Sequence, residues 1–543
     1  RLSGRTKKEI ARRDAEAQRM ISHRITQTDT EDSPLASLET RRGHRTLCPC
    51  GEKLLWIRVF IMLRNKTSRG RFRALLTVGL AMLVAAGCAV GPDYVAPDTR
   101  LPGQWHTPMG AGLVGGDSDK QALAGWWSIF DDPVLTHLIE SAVAGNLGFK
   151  EARSRVREAR ARRGVSEAGR FPTIDATGSA RSSRSSEETG SGSERELYAA
   201  GFDAAWELDV FGGKRRAIEA AQADLEASEE DLRDVLVSLL AEVAVNYVDV
   251  RSLQTRLSVA RANLEAQEET YNITQWRFQA GLATQLDVDQ ARYSLEQTRS
   301  QIPVLRKGFE QAKNRLSVLL GRHPGSVEVA LGEEKPVPFP PLEVAVGVPA
   351  DVLRRRPDIR RAERGLAAQT ARIGVAAADK YPKFSLTGSI GLEALSLGSL
   401  FSTGSRTHSL GSGISWPIFD AGAIRSNIEV QNALQEQALF QYEAAVLTAL
   451  EEVENALVAY AEEQLRRQSL REASQAARSA VDLAQAQYAS GLTDFSDVLD
   501  AQRSLLTLQD QLAVSEAEVT SSLIGLYKAL GGGWTSLVPE ETE

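Results

Sequence analysis

From Gly213 to Gly281 the chain runs without an internal glycine or proline, and apolar residues return at threes and fours: Leu225, Leu232, Val235, Leu239 and Val243. Between Gly422 and Gly491 the same holds, with Leu434, Leu439, Val446, Leu450, Val453 and Leu457 marking the stripe. This spacing predicts amphipathic helices, and at 1.5 Å per residue about 67 helical residues reach roughly 100 Å. Helices of that length must lie against others, because most helical stability comes from packing an apolar face.

Elsewhere the period drops to two. In LYAAGFDAAWELDVF (197–211) Tyr198, Ala200, Phe202, Ala204, Trp206 and Leu208 fall on one parity, and Gly201, Asp203, Glu207 and Asp209 on the other. In KFSLTGSIGLE (383–393) Phe384, Leu386, Ile390 and Leu392 alternate with Ser385, Thr387, Ser389 and Gly391, and Leu410, Ile414, Trp416 and Ile418 repeat the pattern. Such segments, with aromatics near their ends, suit strands of a membrane barrel with one face in lipid. Tyr198, Phe202, Trp206 and Trp416 are the expected lipid-facing aromatics. Two strands per half give four per chain, too few to close a barrel. A barrel would need several chains; a soluble four-stranded sheet with one dry face fits the same alternation.

The two halves are copies. Gly164-Val165 matches Gly374-Val375, Phe171-Pro172 matches Tyr381-Pro382, Gly281-Leu282 matches Gly491-Leu492 and Leu320-Gly321 matches Leu530-Gly531, all 210 residues apart. A period this long is an internal duplication. Each copy reads as a helix (about 137–169, then 358–380), a Ser/Thr/Gly-rich stretch, a very long helix, a tight turn and a return helix. Residues 137–347 form the first repeat and 348–534 the second, followed by a tail at 535–543.

Composition changes the picture at the N-terminus. Residues 1–61 carry no sustained hydrophobic period and read as non-native or mis-started sequence. Residues 62–87 then offer a basic start, an apolar run from Ala74 to Ala86 and small residues before Cys88, which is a secretory signal. Cys48 and Cys50 fall in the discounted segment, so Cys88 is the lone cysteine of the remainder. Preceded by Ala85-Ala86-Gly87, it resembles a bacterial lipobox whose thiol is diacylated, and Ala89 after it resembles sorting to the outer membrane. Residues 88–136 would be a lipidated arm, punctuated by Pro92, Pro97, Pro102 and Pro108. The formal net charge of −7 includes ten excess positive charges in 1–87, leaving the rest near −17. That excludes a nucleic-acid binder.

Several stretches then resemble the outer-membrane efflux protein family, the TolC-like channels, and within it the lipidated branch that serves resistance-nodulation-division (RND) pumps. They are GCAVGPDYVAP (87–97), WWSIFDDPVLTHLI (126–139), ELDVFGGKRR (207–216), its echo WPIFDAG (416–422), VPADVLRRRPDIRRAE (348–363) and LYKALGGGW (526–534). The resemblance implies a mixed α+β membrane fold: a homotrimer whose four strands per chain close a twelve-stranded β-barrel, continued by a long α-helical barrel with an equatorial helical domain. It implies a passive exit duct for drugs or other small molecules, delivered by an inner-membrane RND-type pump through a periplasmic adaptor, with no cofactor beyond the lipid on Cys88. A channel for type I protein secretion would share the architecture. Gly281 and Gly491 would be the periplasmic tip turns, and Asp497 and Asp500 a periplasmic gate of six carboxylates per trimer, an acidic ring that favours cations. Asp287 and Tyr488 match positions that hydrogen-bond between hairpins in some members, while Thr493 stands where those members have arginine.

Other classes fare worse. An enzyme using Asp497 and Asp500 as an acid–base pair lacks supporting groups: the six histidines (His23, His44, His106, His137, His323, His408) are scattered, with no metal-spaced cluster. GAGLVG (110–115) fits G-x-G-x-x-G, but no strand precedes it and no helix follows. A lipid-anchored coiled-coil scaffold leaves the alternating strands unexplained. Asp497 also suits the first turn of a helix, where a carboxylate meets unpaired amides.

Overall fold

The computed structural model describes residues 89–98, 101–115, 123–339, 344–347, 349 and 355–534. The leader, the signal, Cys88 and the tail lie outside these residues, and all the described residues belong to one compact unit, Leu80–Glu543.

Its helices are α1 (Pro133–Gly145), α2 (Leu147–Ala168), α3 (Gly213–Gln279), α4 (Gln285–Leu319), α5 (Pro357–Ala378), α6 (Ala423–Ala489) and α7 (Phe495–Ala529), besides a single turn at Glu328–Leu331. The strands are β1 (Leu113–Gly115), β2 (Thr173–Arg184), β3 (Glu194–Leu208), β4 (Val344–Val346), β5 (Lys383–Ala394) and β6 (Arg406–Ser415). The duplication survives folding: α5, β5, α6 and α7 begin and end 210 residues after α2, β2, α3 and α4. Among the described residues no helix is long and apolar enough to cross a membrane.

Local chemistry sets the boundaries. α3 and α6 start behind Gly212 and Gly422, which are left-handed (φ 80 and 89) and offer no side chain. Upstream carboxylates serve as caps instead. Asp209 accepts from the amides of Lys214 (2.9 Å) and Arg215 (3.0 Å), and Asp420 from those of Gly422 (2.9 Å) and Ile424 (2.7 Å). This is why β3 stops at Leu208, short of the expected 211. β6 stops at Ser415, before Trp416-Pro417, where proline has no amide to give a ladder.

The single helix expected at 137–169 is two. The chain breaks at Asn146, whose side chain accepts from the Phe149 amide (2.9 Å) and donates to the Leu319 carbonyl (2.8 Å). The cause is a crossing: a Cβ on Gly145 would lie 2.1 Å from the Leu320 carbonyl oxygen, so the backbones touch there and the helix must turn away. The glycines of GAGLVG lead into β1, which pairs in parallel with β4 and so spends its backbone groups on a strand.

α3 packs against α2, α4, α5 and α7, and α6 against α5 and α7. The main core lies where α1, α3, α4 and α7 converge; there Trp126 stacks on Tyr527 (5.9 Å, 11°) among Leu135, Ile139, Leu240 and Leu523, all buried. Arg356 holds the second repeat together from inside, donating to the Ala529 carbonyl at the end of α7 (3.0 Å) while pairing with Asp358 (2.7 Å) and Glu452 (2.6 Å).

Candidate functional site

The sheet comes first, because its faces differ. β2, β3, β5 and β6 pair antiparallel in that order, leaving β2 and β6 as edges. Register gathers one parity into an apolar face: Phe202 lies opposite Ile390, Trp206 opposite Leu386, and Leu410 opposite Gly388. Phe202 (58% exposed), Ile390 (65%), Leu410 (88%) and Ile414 (70%) stand open on it. The other parity is polar, with Asp175 opposite Asp203, Asp203 opposite Ser389 and Ser389 opposite Ser409. Of the expected lipid-facing aromatics, Phe202, Trp206 and Trp416 are exposed, while Tyr198 is half-buried and donates to Glu196 (3.1 Å). The two tryptophans are repeat counterparts in detail. Trp206 Nε1 donates to the Arg170 carbonyl (2.8 Å) and Trp416 Nε1 to the Lys380 carbonyl (3.0 Å).

The hairpin tips are the second element. Gly281 (φ 73) and Gly491 (φ 72) take the left-handed conformation that ends a helix without steric cost. Beyond them the amide of Leu282 reaches back to the Arg277 carbonyl (2.8 Å), and that of Leu492 to the Gln487 carbonyl (2.9 Å). At the first tip Thr284 and Asp287 form a capping box: the Asp287 amide donates to the Thr284 hydroxyl (3.2 Å), and the Thr284 amide to the Asp287 carboxylate (2.8 Å). At the second tip Asp494 is the N-cap and makes no side-chain bond to the backbone. Asp497 and Asp500 point outward on the exposed side of α7, opposite the buried Phe495, Val498 and Leu499. Asp497 accepts from the Thr493 hydroxyl, and Asp500 pairs with Arg503 (3.2 Å).

Asp287 and Tyr488 are not joined by a hydrogen bond among the described residues. Thr284 occupies the Asp287 carboxylate, and Tyr488 is held from the other side, its ring under the Arg277 guanidinium (4.3 Å) and against Phe495 (5.3 Å). Burial pushes the Tyr488 phenol up; Arg277 opposes that and the Asp287 charge adds to it. A second contact of this kind, Arg503 over Tyr293 (5.3 Å), joins α7 to α4. Tyr293 and Arg503 are 210 residues apart, so the two repeats meet here through equivalent positions. The sequence reading did not single out Arg277, Tyr293 or Arg503; for Tyr293 and Arg503 an aromatic at one position and a basic residue at its repeat counterpart was the available signal, whereas the counterpart of Arg277 is Gln487 and gave none.

The arm is third. Ala89 rests on Gly212, where a Cβ would lie 2.6 Å from its Cα, and the Val90 amide donates to the Phe211 carbonyl (3.1 Å). Gly91 (φ 97) lies so close to Gly374 that a Cβ would sit 2.4 Å from its Cα. Arg216, 5% exposed, grips the arm through the Val90 carbonyl (3.1 Å) and Asp93 (2.6 Å). Further along, Glu454 accepts from the amides of His106 (2.6 Å) and Thr107 (3.0 Å). Among the described residues no group of three or more His, Cys, Asp or Glu could hold a metal ion.

Known proteins share this arrangement. The family described as "Outer membrane efflux protein" matches residues 138–322 and again 348–532. A curated relative, "Nodulation protein T" of Rhizobium leguminosarum bv. trifolii, is 34% identical over 461 residues, 83% of this chain and 96% of its own. A solvent efflux pump outer membrane protein of Pseudomonas putida is 34% identical over 465 residues, 84% and 97% of the two chains. The solved outer-membrane channel OprN superposes with a TM-score of 0.77 at 38% identity, covering 82% of this chain and all of that one. Matched in both repeats and over nearly the full length of these relatives, the chain belongs to the outer membrane efflux protein family, as the outer-membrane channel component of an RND-type tripartite efflux system.

Proposed function

We propose that three copies of the chain close one barrel and continue it as one duct, shut at its far end by the second hairpin tip. The observation that carries this is the sheet: four antiparallel strands, one face apolar, the other polar, both edges open, each repeat running directly into a helix of 67 residues. Open edges demand further strands, and three times four gives a closed twelve-stranded barrel with its polar face around water. The duct supplies no energy. An inner-membrane RND-type transporter would drive drugs or other small molecules into it, through a periplasmic adaptor seated at the turns around Gly281 and Gly491.

Asp497 and Asp500 would form the periplasmic gate, an acidic constriction that selects cations while shut. Asp287 would steady the neighbouring tip through its capping box, and Tyr488 would lock the hairpins through Arg277. Tyr198, Phe202, Trp206 and Trp416 would meet lipid. Cys88 would carry a covalent lipid. Support comes from its neighbour Ala89, pinned on Gly212 at the strand-to-helix junction, the level at which an acyl chain reaches the bilayer.

Single-channel recording of the full-length protein in a planar bilayer tests the reading. Small cation-selective openings, blocked by divalent cations from one side, are expected; a bilayer silent with both the native protein and the Asp497→Ala/Asp500→Ala variant, inserted protein being verified, would exclude the channel. Cys88→Ser should abolish palmitate labelling while leaving assembly in place, and a labelled Cys88→Ser protein would move the lipid elsewhere.

A further inference from the structure

Where the strands give way to helices, the two repeats exchange charged for apolar side chains freely. Glu207, Asp209 and Lys214 correspond to Pro417, Phe419 and Ile424. One combination is nevertheless present twice: Arg170-Phe171-Pro172 corresponds to Lys380-Tyr381-Pro382, and Trp206 to Trp416. Between the copies the cation keeps its charge and changes its shape, so charge is what the position requires. Each cation stands just past the end of a helix, α2 or α5, and its own carbonyl receives the indole of the tryptophan.

Neither cation is needed by the fold. A basic side chain at a helix C-terminus can bond the last carbonyls, but here backbone amides take them. The amides of Arg170 and Phe171 donate to the carbonyls of Glu167 (3.1 Å) and Ala168 (3.0 Å), and those of Lys380 and Tyr381 to Ala377 (3.2 Å) and Ala378 (3.0 Å). The carboxylates of these junctions are occupied as well. Glu207 pairs with Lys214 (3.5 Å), Asp209 with Arg215 (3.2 Å) and Asp379 with Lys383 (2.9 Å), while Asp420 accepts from the amides of Gly422 (2.9 Å) and Ile424 (2.7 Å). Arg170 and Lys380 are exposed and make no ion pair or side-chain hydrogen bond among the described residues. Arg425 shares this state for another reason: its counterpart Arg215 has Asp209, whereas position 419 holds Phe419. It lies in the first turn of α6, where the helix dipole disfavours a cation, so it does not stabilise the helix either.

We propose that Arg170, Lys380 and Arg425 bind the phosphates of anionic phospholipids in the leaflet nearest the helices. The inference rests on the membrane barrel proposed above and deepens it by naming the lipid class. Tryptophan rings settle at headgroup level, and each ring here is tied to the backbone of the residue that carries the cation, which sets charge and ring at one depth. The guanidinium of Arg170 can take two phosphate oxygens at once, and the ammonium of Lys380 acts as a point charge. Exposed apolar residues flank them, Phe171 (67%) beside Arg170 and Ile418 (88%) and Phe419 (89%) ahead of Arg425, placed to meet the acyl chains. Because no carboxylate remains to balance these cations, a lipid with a net negative charge fits better than one whose own ammonium offsets its phosphate. Phosphatidylglycerol is therefore preferred to phosphatidylethanolamine.

Native mass spectrometry of the full-length protein, released from nanodiscs of phosphatidylglycerol and phosphatidylethanolamine in equal amounts, tests this. Lipid retained on the native protein should be enriched several-fold in phosphatidylglycerol. Arg170→Gln/Lys380→Gln/Arg425→Gln should lose the enrichment at unchanged oligomeric mass. Lys214→Gln/Lys383→Gln, which removes paired cations from the same boundary, should keep it. Enrichment that survives the triple variant, or that both variants lose alike, would overturn the site. An excess of inorganic phosphate should leave the retained lipid in place; displacement of lipid by phosphate alone would make this a site for a soluble anion and overturn the lipid. Native protein that fails to float with vesicles of either phospholipid would overturn the membrane barrel, whereas protein that floats with both and shows no enrichment overturns this inference alone.

Discussion

At the first tip a threonine opens the return helix and an aspartate three residues later closes a capping box with it; at the second tip, 210 residues on, aspartates occupy both positions. The turns are otherwise alike, with left-handed glycines within a degree of each other and the same backward amide bond. The turn is therefore specified by glycine and backbone, and the N-cap residue decides what happens to the following carboxylate. Thr284 can donate and accept, so it draws Asp287 onto the backbone. Asp494 can only accept and repels its neighbour. Asp497 turns instead to the Thr493 hydroxyl and keeps its charge exposed. One change at a cap separates an aspartate bonded to the helix backbone from one whose charge stays exposed.

The largest effect should come from removing the exposed charges. Asp497→Ala/Asp500→Ala should abolish divalent block and lower the cation-to-anion permeability ratio several-fold, read from reversal potentials, while Asp287→Ala leaves both near native values. Asp494→Thr sharpens the contrast by giving the second tip the cap of the first. It should pull Asp497 onto the backbone and reduce cation selectivity to the level of Asp497→Ala alone; unchanged selectivity would show that the cap does not govern the carboxylate. Thr284→Ala should cost about 1 kcal/mol locally, read as faster hydrogen exchange in the first turn of α4. Smallest is Asp494→Ala, where only the helix dipole is lost, about 0.3 kcal/mol; exchange in the first turn of α7 should barely change.

Much of this was legible in the chain. Gly281 and Gly491 marked both turns because a left-handed residue after a long helix is a local demand that glycine meets. Strand alternation through Phe202, Trp206, Leu386 and Ile390 foretold a two-faced sheet because side-chain parity is fixed by the pleat. The break at Asn146 was signalled by Gly145-Asn146, yet its cause, contact with the Leu320 carbonyl, is tertiary and has no local trace. The split use of Asp287 and Asp497 was hidden for a different reason. Both occupy the third position of a helix, and only their neighbours Thr284 and Asp494 distinguish them. The contacts of Arg277 with Tyr488 and of Arg503 with Tyr293 join helices about 210 residues apart in sequence, beyond any periodicity argument.

Trp206 and Trp416 are each tied to a carbonyl two residues beyond the end of a helix, so these rings, proposed above to meet lipid, cannot slide relative to the long helices that begin a few residues later. The anchoring depth and the helices form one rigid gauge of about 100 Å. If the space beneath the membrane widened, this gauge would not stretch; its tips would recede from the opposite membrane by the whole increment. In its count of helical residues the chain carries a standard of length, and the spacing of the two membranes has to be kept to it.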